Sequence, residues 1–336
     1  MQGAGMKRRT FVAGSAALLT MPAIARAQTT KPTKRLAMIR PSGPVSVMTP
    51  NGYPYYKVFF EELARLGYVE GQNLIVFRFS AEGHEDRYGA VLQQAIEAVP
   101  DVIWCASAGV MIGKMTMTIP VVSSINDPIA EGFTTSLAHP SSNITGVTVQ
   151  GGYEIWGKRL SILKEAVENL RRLRVLSKEY WWKGPTGQTV RQAAEQLGLS
   201  VAPALLKADV IAESYAPIFE EIKASGADGL AVDESVENLT HRATITGLAA
   251  QHRLPAMYPF REYVVDGGLL AYATDLSEAT RIAVRQIAAI LGGSKPVDIP
   301  FVQPTKYQLI ANVKAAQAIG LTLPPSLLLR ADEVIE

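Results

Sequence analysis

Cysteine is nearly absent. Cys105 is the single cysteine in 336 residues, so no intramolecular disulfide staples the fold and no N-terminal thiol is available to carry a lipid. Histidine is scarce as well. His84, His139, His241 and His252 are scattered without the spacing of metal ligands, and no glycine pattern marks a phosphate loop or a dinucleotide site. This argues against a bound metal and against the common cofactors. Charged residues make up only 19% of the chain and gather in no basic stripe or single-sign block, which argues against nucleic acid as a partner. No tandem repeat or low-complexity segment occurs, and no apolar run reaches the roughly 20 residues that span a bilayer.

The N-terminus holds the nearest approach to such a run. Lys7, Arg8 and Arg9 precede apolar residues from about Phe11 to Ile24, and Ala25-Arg26-Ala27 places small residues where a signal peptidase reads them. Residues 1–27 therefore read as a cleaved secretory signal, with the mature chain starting at Gln28 and carrying no membrane anchor. Arg8-Arg9-Thr10-Phe11 resembles the twin-arginine export signal. Ordinary signals also carry tandem basic residues, so both export routes stay open. An untethered exported protein is retained by a cell with an outer membrane, which points to the Gram-negative periplasm. Four of the 33 basic residues leave with the signal and none of the 31 acidic ones does, so the formal charge changes from +2 to −2.

What the chain has in abundance is alternation. Short β-branched or apolar runs, beginning with Arg35 to Ile39 and ending with Leu269 to Ala273, alternate with amphipathic stretches of helical period. Repeated β-α alternation predicts an α/β fold with parallel sheets covered on both faces. About five strands fall before Gln150 and five after, which suggests two Rossmann-like lobes. In such sheets ligands bind beyond the carboxyl ends of the strands. Those ends fall at residues 40–56, 106–109, 125–127, 150–153, 177–185, 233–235 and 259–263, and many are rich in hydroxyl, amide and aromatic groups.

Four collinear stretches carry a resemblance: "LGYVEGQNLIVFRFSAEG", "IPVVSSINDPIAEGFTTSLAHPSSNITGV", "LPAMYPFREYVVDGGLLAY" and the long C-terminal "KPVDIPFVQPTKYQLIANVKAAQAIGLTLPPSLLLRADEVIE". From about Arg35 to Glu336 the chain resembles the ABC transporter substrate-binding proteins related to the tryptophan and tyrosine binders. The resemblance implies a type I periplasmic-binding fold, with two lobes joined by three crossovers and closing on a small ligand. It also implies partners, an ABC permease and its ATPase in the inner membrane. Residues 35–148 with about 275–300 are expected to form lobe I, and residues 149–274 with about 301–336 lobe II, the placement of the C-terminal segment being left open. The turn "KEYWWKGPTG" departs from the family pattern of an asparagine and a proline-rich turn.

Ten residues are candidates for ligand contact. Ser107 follows a buried strand and precedes a helical segment, where a hydroxyl and backbone N–H groups meet an anion or merely cap the helix. Asn126 and Asp127 receive ligand donors or stabilise a turn. Tyr53 and Tyr56 offer rigid rings from the first loop, and Trp181 another, each against the alternative of core packing. Gln150 lies at the midpoint crossover. Asp233 ends a strand, where it either pairs with a ligand amine or is a solvated loop end. Arg261, with Tyr258 before it, either forks onto a ligand carboxylate or is a solvated arginine lying over Tyr263 or paired with Glu262. The expected function is capture of a small carboxylate-bearing ligand with an apolar or aromatic body, without chemistry. Two alternatives remain: a hydrolase built on Ser107, since Cys105-Ala106-Ser107-Ala108-Gly109 comes within one residue of a nucleophile elbow but has no histidine placed as its base, and a sensor delivering ligand state to a membrane receptor.

Overall fold

The computed structural model describes residues 1, 3, 33–106, 109–125, 127–129, 132–148, 154–207 and 209–336; residues 2 and 4–27 of the expected signal lie outside them, as do Ser107, Asn126 and Gln150. Residues 32–336 form one compact unit. Among the described residues no helix is long and apolar enough to cross a membrane.

The first sheet contains β1 (Lys34–Arg40), β2 (Leu74–Ser80), β3 (Val102–Ala106), β4 (Val121–Ile125) and β5 (Ile144–Thr148), in the order β2-β1-β3-β4-β5 and parallel throughout. Every residue of β3 and β5 is buried, as expected of strands covered on both faces. Helices α1 (Pro54–Arg65), α2 (Glu85–Glu97) and α3 (Gly109–Met115) follow β1, β2 and β3. Pro54 sits in the first turn of α1, where a missing N–H costs nothing, and Tyr56, Phe59, Phe60 and Leu63 form its buried stripe.

The second sheet contains β6 (Arg172–Ser177), β7 (Ser200–Leu205), β8 (Gly229–Val232), β9 (Ala256–Tyr258), β10 (Leu270–Thr274), β11 (Tyr307–Asn312) and β12 (Glu333–Ile335). Their order is β12-β11-β10-β9-β8-β6-β7, and only β11 runs antiparallel to its neighbour β10. The connecting helices are α4 (Glu154–Ala166), α5 (Glu179–Lys183), α6 (Pro185–Gln196), α7 (Tyr215–Ala224), α8 (Val236–Thr240), α9 (Arg242–Gln251), α10 (Arg261–Val265), α11 (Leu276–Leu291), α12 (Val313–Ala318) and α13 (Pro325–Arg330). Sequence periodicity anticipates ten of these twelve strands and misses β11 and β12. The reason is local: β11 passes directly into α12, whose N-cap is the strand's own last residue, Asn312, accepting from Ala315 N at 2.8 Å. With no turn residue between strand and helix, no boundary marks β11 as an element of its own.

The chain passes between the sheets more than once. After β10, helix α11 leaves the second sheet and packs against α1 with Val284 and Ile287 in one core with Phe59 and Leu63. Asp275 starts it by accepting from Ser277 N and Glu278 N at 2.8 and 3.3 Å. Residues 299–302 then run beside β5: Val302 N donates to Gly146 O at 3.0 Å and Thr148 N to Val302 O at 2.9 Å, while Thr145 Oγ1 donates to Ile299 O at 2.7 Å. Beyond them the chain returns to the second sheet as β11.

Gly146 is the tight point of this joint. A Cβ there would lie 1.8 Å from Ser123 O of the neighbouring strand, and the Gly146 carbonyl also accepts from Gln286 Nε2 at 3.1 Å. Gly146→Ala is expected to destabilise the protein by about 1–3 kcal/mol through overpacking. Urea unfolding of the two proteins measures it, and an unchanged midpoint would show that β4 and β5 separate freely.

Candidate functional site

All strands but β11 and β12 run in one sense within their sheet, so the carboxyl ends of β1, β3 and β4 share one edge, as do those of β6, β8, β9 and β10. These edges meet. Val210 N, past the end of β7, donates to Gly83 O at 2.8 Å. Lys178, following β6, pairs with Glu237 at 2.9 Å and reaches Glu85 of the first lobe at 3.9 Å. Burial alone would lower the Lys178 pKa, but the two carboxylates hold it above its ordinary value. His241 Nε2 lies 3.5 Å from Ser42 Oγ and 3.2 Å from Val210 O, and burial lowers its pKa. His84 Nδ1 and Asp209 Oδ2, 3.4 Å apart, close the outer rim. Asp86 stands beside them with all three ligand atoms within 4.8 Å of one another. Exposed trios of this kind are common without an ion.

At the centre of the contact is a residue that sequence reasoning passed over. Arg40, the last residue of β1, has 0% exposure. Its Nη2 donates to Thr240 Oγ1 at the end of α8, 2.8 Å away, and its Nη1 to Tyr56 OH at 3.4 Å. The guanidinium carbon lies 5.4 Å from the centroid of Tyr53 and 5.8 Å from that of Tyr56, within the range of cation–π attraction. Arg242 approaches the same Tyr53 ring from the second lobe at 5.0 Å and is paired with Asp266 at 2.8 Å. Tyr55 completes the cluster, 4.7 Å from Tyr56. The signal was present in "KRLAMIR", where an arginine closes a strand after four apolar residues, since unpaired arginine is almost never fully buried.

The expected site residues divide. Tyr53 and Tyr56 are brought together around Arg40, Tyr56 also packing edge-on to Trp104 at 6.0 Å. Asp127 accepts from Ile129 N at 3.0 Å in the turn after β4. Ser107, Asn126 and Gln150 lie outside the described residues. Three of the expected residues have partners within the protein. Trp181 is core: it packs edge-on to Trp156 at 5.1 Å in the main hydrophobic cluster of the second lobe, because the short helix α5 turns it inward while Trp182 stacks under Arg191. Tyr258 is core as well, stacked on Tyr263 at 4.9 Å. Arg261 does make a carboxylate fork, but with the chain's own Glu333, its Nε and Nη2 reaching the two oxygens at 2.5 and 2.6 Å. It is 48% exposed on α10. The partner strand β12 was invisible in the sequence, so the fork was assigned to a ligand.

Asp233 is buried beneath α8 and serves the fold. Its Oδ1 accepts from Ser235 N at 3.0 Å and from Asn238 Nδ2 at 2.8 Å, and Tyr215 OH donates to Asn238 Oδ1 at 2.9 Å. Beside it Glu234 is ion-paired with Arg159 of α4, both buried. Arg159 also donates to Tyr272 O at 2.9 Å and Pro259 O at 3.3 Å, so one guanidinium ties the ends of β8 and β9 to the middle of β10.

A family model described as ABC transporter substrate binding protein matches residues 45–335. No curated protein matches the sequence. A solved structure from Vibrio cholerae O1 biovar El Tor, a conserved domain protein, is 19% identical with a TM-score of 0.77, covering 90% of this chain and 99% of its own. An ABC domain from Streptococcus pneumonia in complex with L-Trp is 21% identical with a TM-score of 0.75, over 90% of this chain and 100% of its own. An ABC transporter solute-binding protein from Agrobacterium vitis with bound allitol is 13% identical with a TM-score of 0.55, over 84% and 96%. The fold these structures share with the chain is that of the type I periplasmic binding proteins.

Asp233 supplies a test of the edge described above. Burial is the main cause of a pKa raised to about 7 from an ordinary 3.8, with Glu234 adding to it. The folded protein then keeps a proton that the unfolded chain releases, so this group's contribution is fully present below about pH 4 and is lost as pH rises towards 7. Asp233→Asn keeps an acceptor for Asn238 and Ser235 N. It is expected to flatten the fall in stability between about pH 4 and 7, as read from urea unfolding at several pH values. An identical pH profile would mean that Asp233 is ionised when buried.

Proposed function

The chain belongs to the family of ABC transporter substrate-binding proteins, and from that premise we propose that it is the periplasmic receptor of an importer, closing its two lobes on a small carboxylate-bearing solute and handing it to a membrane permease. One observation carries the reading: the carboxyl edges of the two sheets meet through a handful of polar contacts, chiefly Arg40 to Thr240, Val210 to Gly83 and Lys178 to Glu85. Hydrogen bonds of this kind contribute about 0.5–1.5 kcal/mol each. Opening therefore costs little, and a ligand touching both edges biases the equilibrium by its differential affinity for the closed state. The L-Trp complex of the Streptococcus protein supports an aromatic amino acid or a related acid as the ligand class over the polyol held by the more distant Agrobacterium vitis protein.

Two outcomes are expected. In a melting screen over amino acids, aromatic acids, sugars and nucleobases, a true ligand at 100 times its dissociation constant stabilises the closed protein by about 2.7 kcal/mol. The same ligand should reduce the radius of gyration in solution scattering. A profile unchanged at saturating ligand is incompatible with lobe closure. Export is a separate matter. With Arg8 and Arg9 read as a twin-arginine signal, changing both to lysine should strand the precursor in the cytoplasm, and undiminished periplasmic delivery would assign the general secretory route instead.

A further inference from the structure

Two arginines are buried among the described residues, Arg40 and Arg159. Arg159 has a carboxylate, Glu234. Arg40 has none. No acidic side chain pairs with it among the described residues; what it contacts is the hydroxyls of Thr240 and Tyr56 and the faces of two tyrosine rings. Its Nε is buried without a partner, and a guanidinium carries five N–H donors in a fixed fork. A desolvated charge in this condition is costly, and such groups are ordinarily paired. The loop beyond β1 is also shaped around it. Gly43, at φ +77°, comes so close that a Cβ would stand 3.2 Å from Arg40 Nη2 and 3.0 Å from the Thr240 methyl.

We propose, building on the receptor reading above, that Arg40 is the group that holds the ligand's carboxylate, and that Tyr53, Tyr55 and Tyr56 beside it select an acid with an aromatic body. The unpaired guanidinium supplies the charge and the fork. The rings shield that contact from water, where a charge-assisted bond counts most. Thr240 brings the second lobe onto the same guanidinium, so a ligand anion seated there touches the group on which closure converges. Arg242 lies across Tyr53 but already has Asp266, which leaves Arg40 as the cation to be neutralised. Arg261, forked onto Glu333, takes no part.

The test uses the mature protein and paired probes: benzoate, 4-hydroxybenzoate, phenylacetate, L-phenylalanine and L-tryptophan, each against its primary amide. At least one acid should raise the melting temperature of the parent while its amide does not. Arg40→Met should weaken that acid by at least about thirtyfold in calorimetry, and Arg40→Lys should recover part of the loss by restoring the charge without the fork. The empty Arg40→Met protein should melt at or above the parent temperature, because an unpaired buried charge has been removed; an arginine with a merely structural role would lower it. The proposal is overturned if the acid binds Arg40→Met within threefold of the parent, if amides bind as well as acids, or if no acid of the panel binds. A sugar or other neutral solute that compacts the particle would leave the receptor reading standing while removing this one.

Discussion

The second lobe depends on one buried guanidinium. Arg159 reaches from α4, the first described helix after β5, to Glu234 behind β8, to the Pro259 carbonyl behind β9 and to the Tyr272 carbonyl of β10. The first two points lie along the carboxyl edge of one sheet. Placing two opposite charges out of water is costly, and each of the three guanidinium nitrogens has a partner to offset it. Its effect is geometric: the ends of β8 and β9 are held against the middle of β10, and the short helices α8 and α10 start from fixed positions. Trp156, one turn before Arg159, lies under the same guanidinium at 5.0 Å and packs on Trp181, so the ion pair and the aromatic core of the lobe are continuous.

The first lobe presents the opposite case. Arg40 closes β1 at the corresponding edge, equally buried, with tyrosines and a threonine around it and no carboxylate among the described residues. A fold selected for stability alone would pair or replace such a residue, since stability and function are commonly in tension at sites prepared for a ligand. The contrast between a satisfied and an unsatisfied arginine at facing edges is the clearest functional mark in the molecule.

Among the described residues the contacts between the lobes are mainly polar, with Val236 of α8 packed on the first core. The first core, with Phe59, Trp104 and Val284, and the second, with Trp156, Leu163 and Leu309, are each closed hydrophobic clusters. Tyr55 is the ring that packs against both. Most of the apolar burial lies inside a lobe, where separation of the two edges leaves it intact.

How far the sequence reached follows from which forces are local. Ten strands, both sheets and the parallel sense were legible, because an apolar run of four to seven residues between amphipathic helices requires a doubly covered sheet. The sequence by itself also placed the strand ends where polar loops gather. It could not determine what each side chain meets there. Trp181, Tyr258 and Arg261 have the residue types of a binding site, and chain patterning cannot tell whether an aromatic turns inward or whether an arginine finds Glu333, 72 residues away. Arg40 looked like the end of a strand. Only the tertiary structure, by bringing Thr240 across 200 residues onto its guanidinium and no carboxylate with it, made it a buried charge without a partner, because pairing and desolvation are properties of what surrounds a group in space.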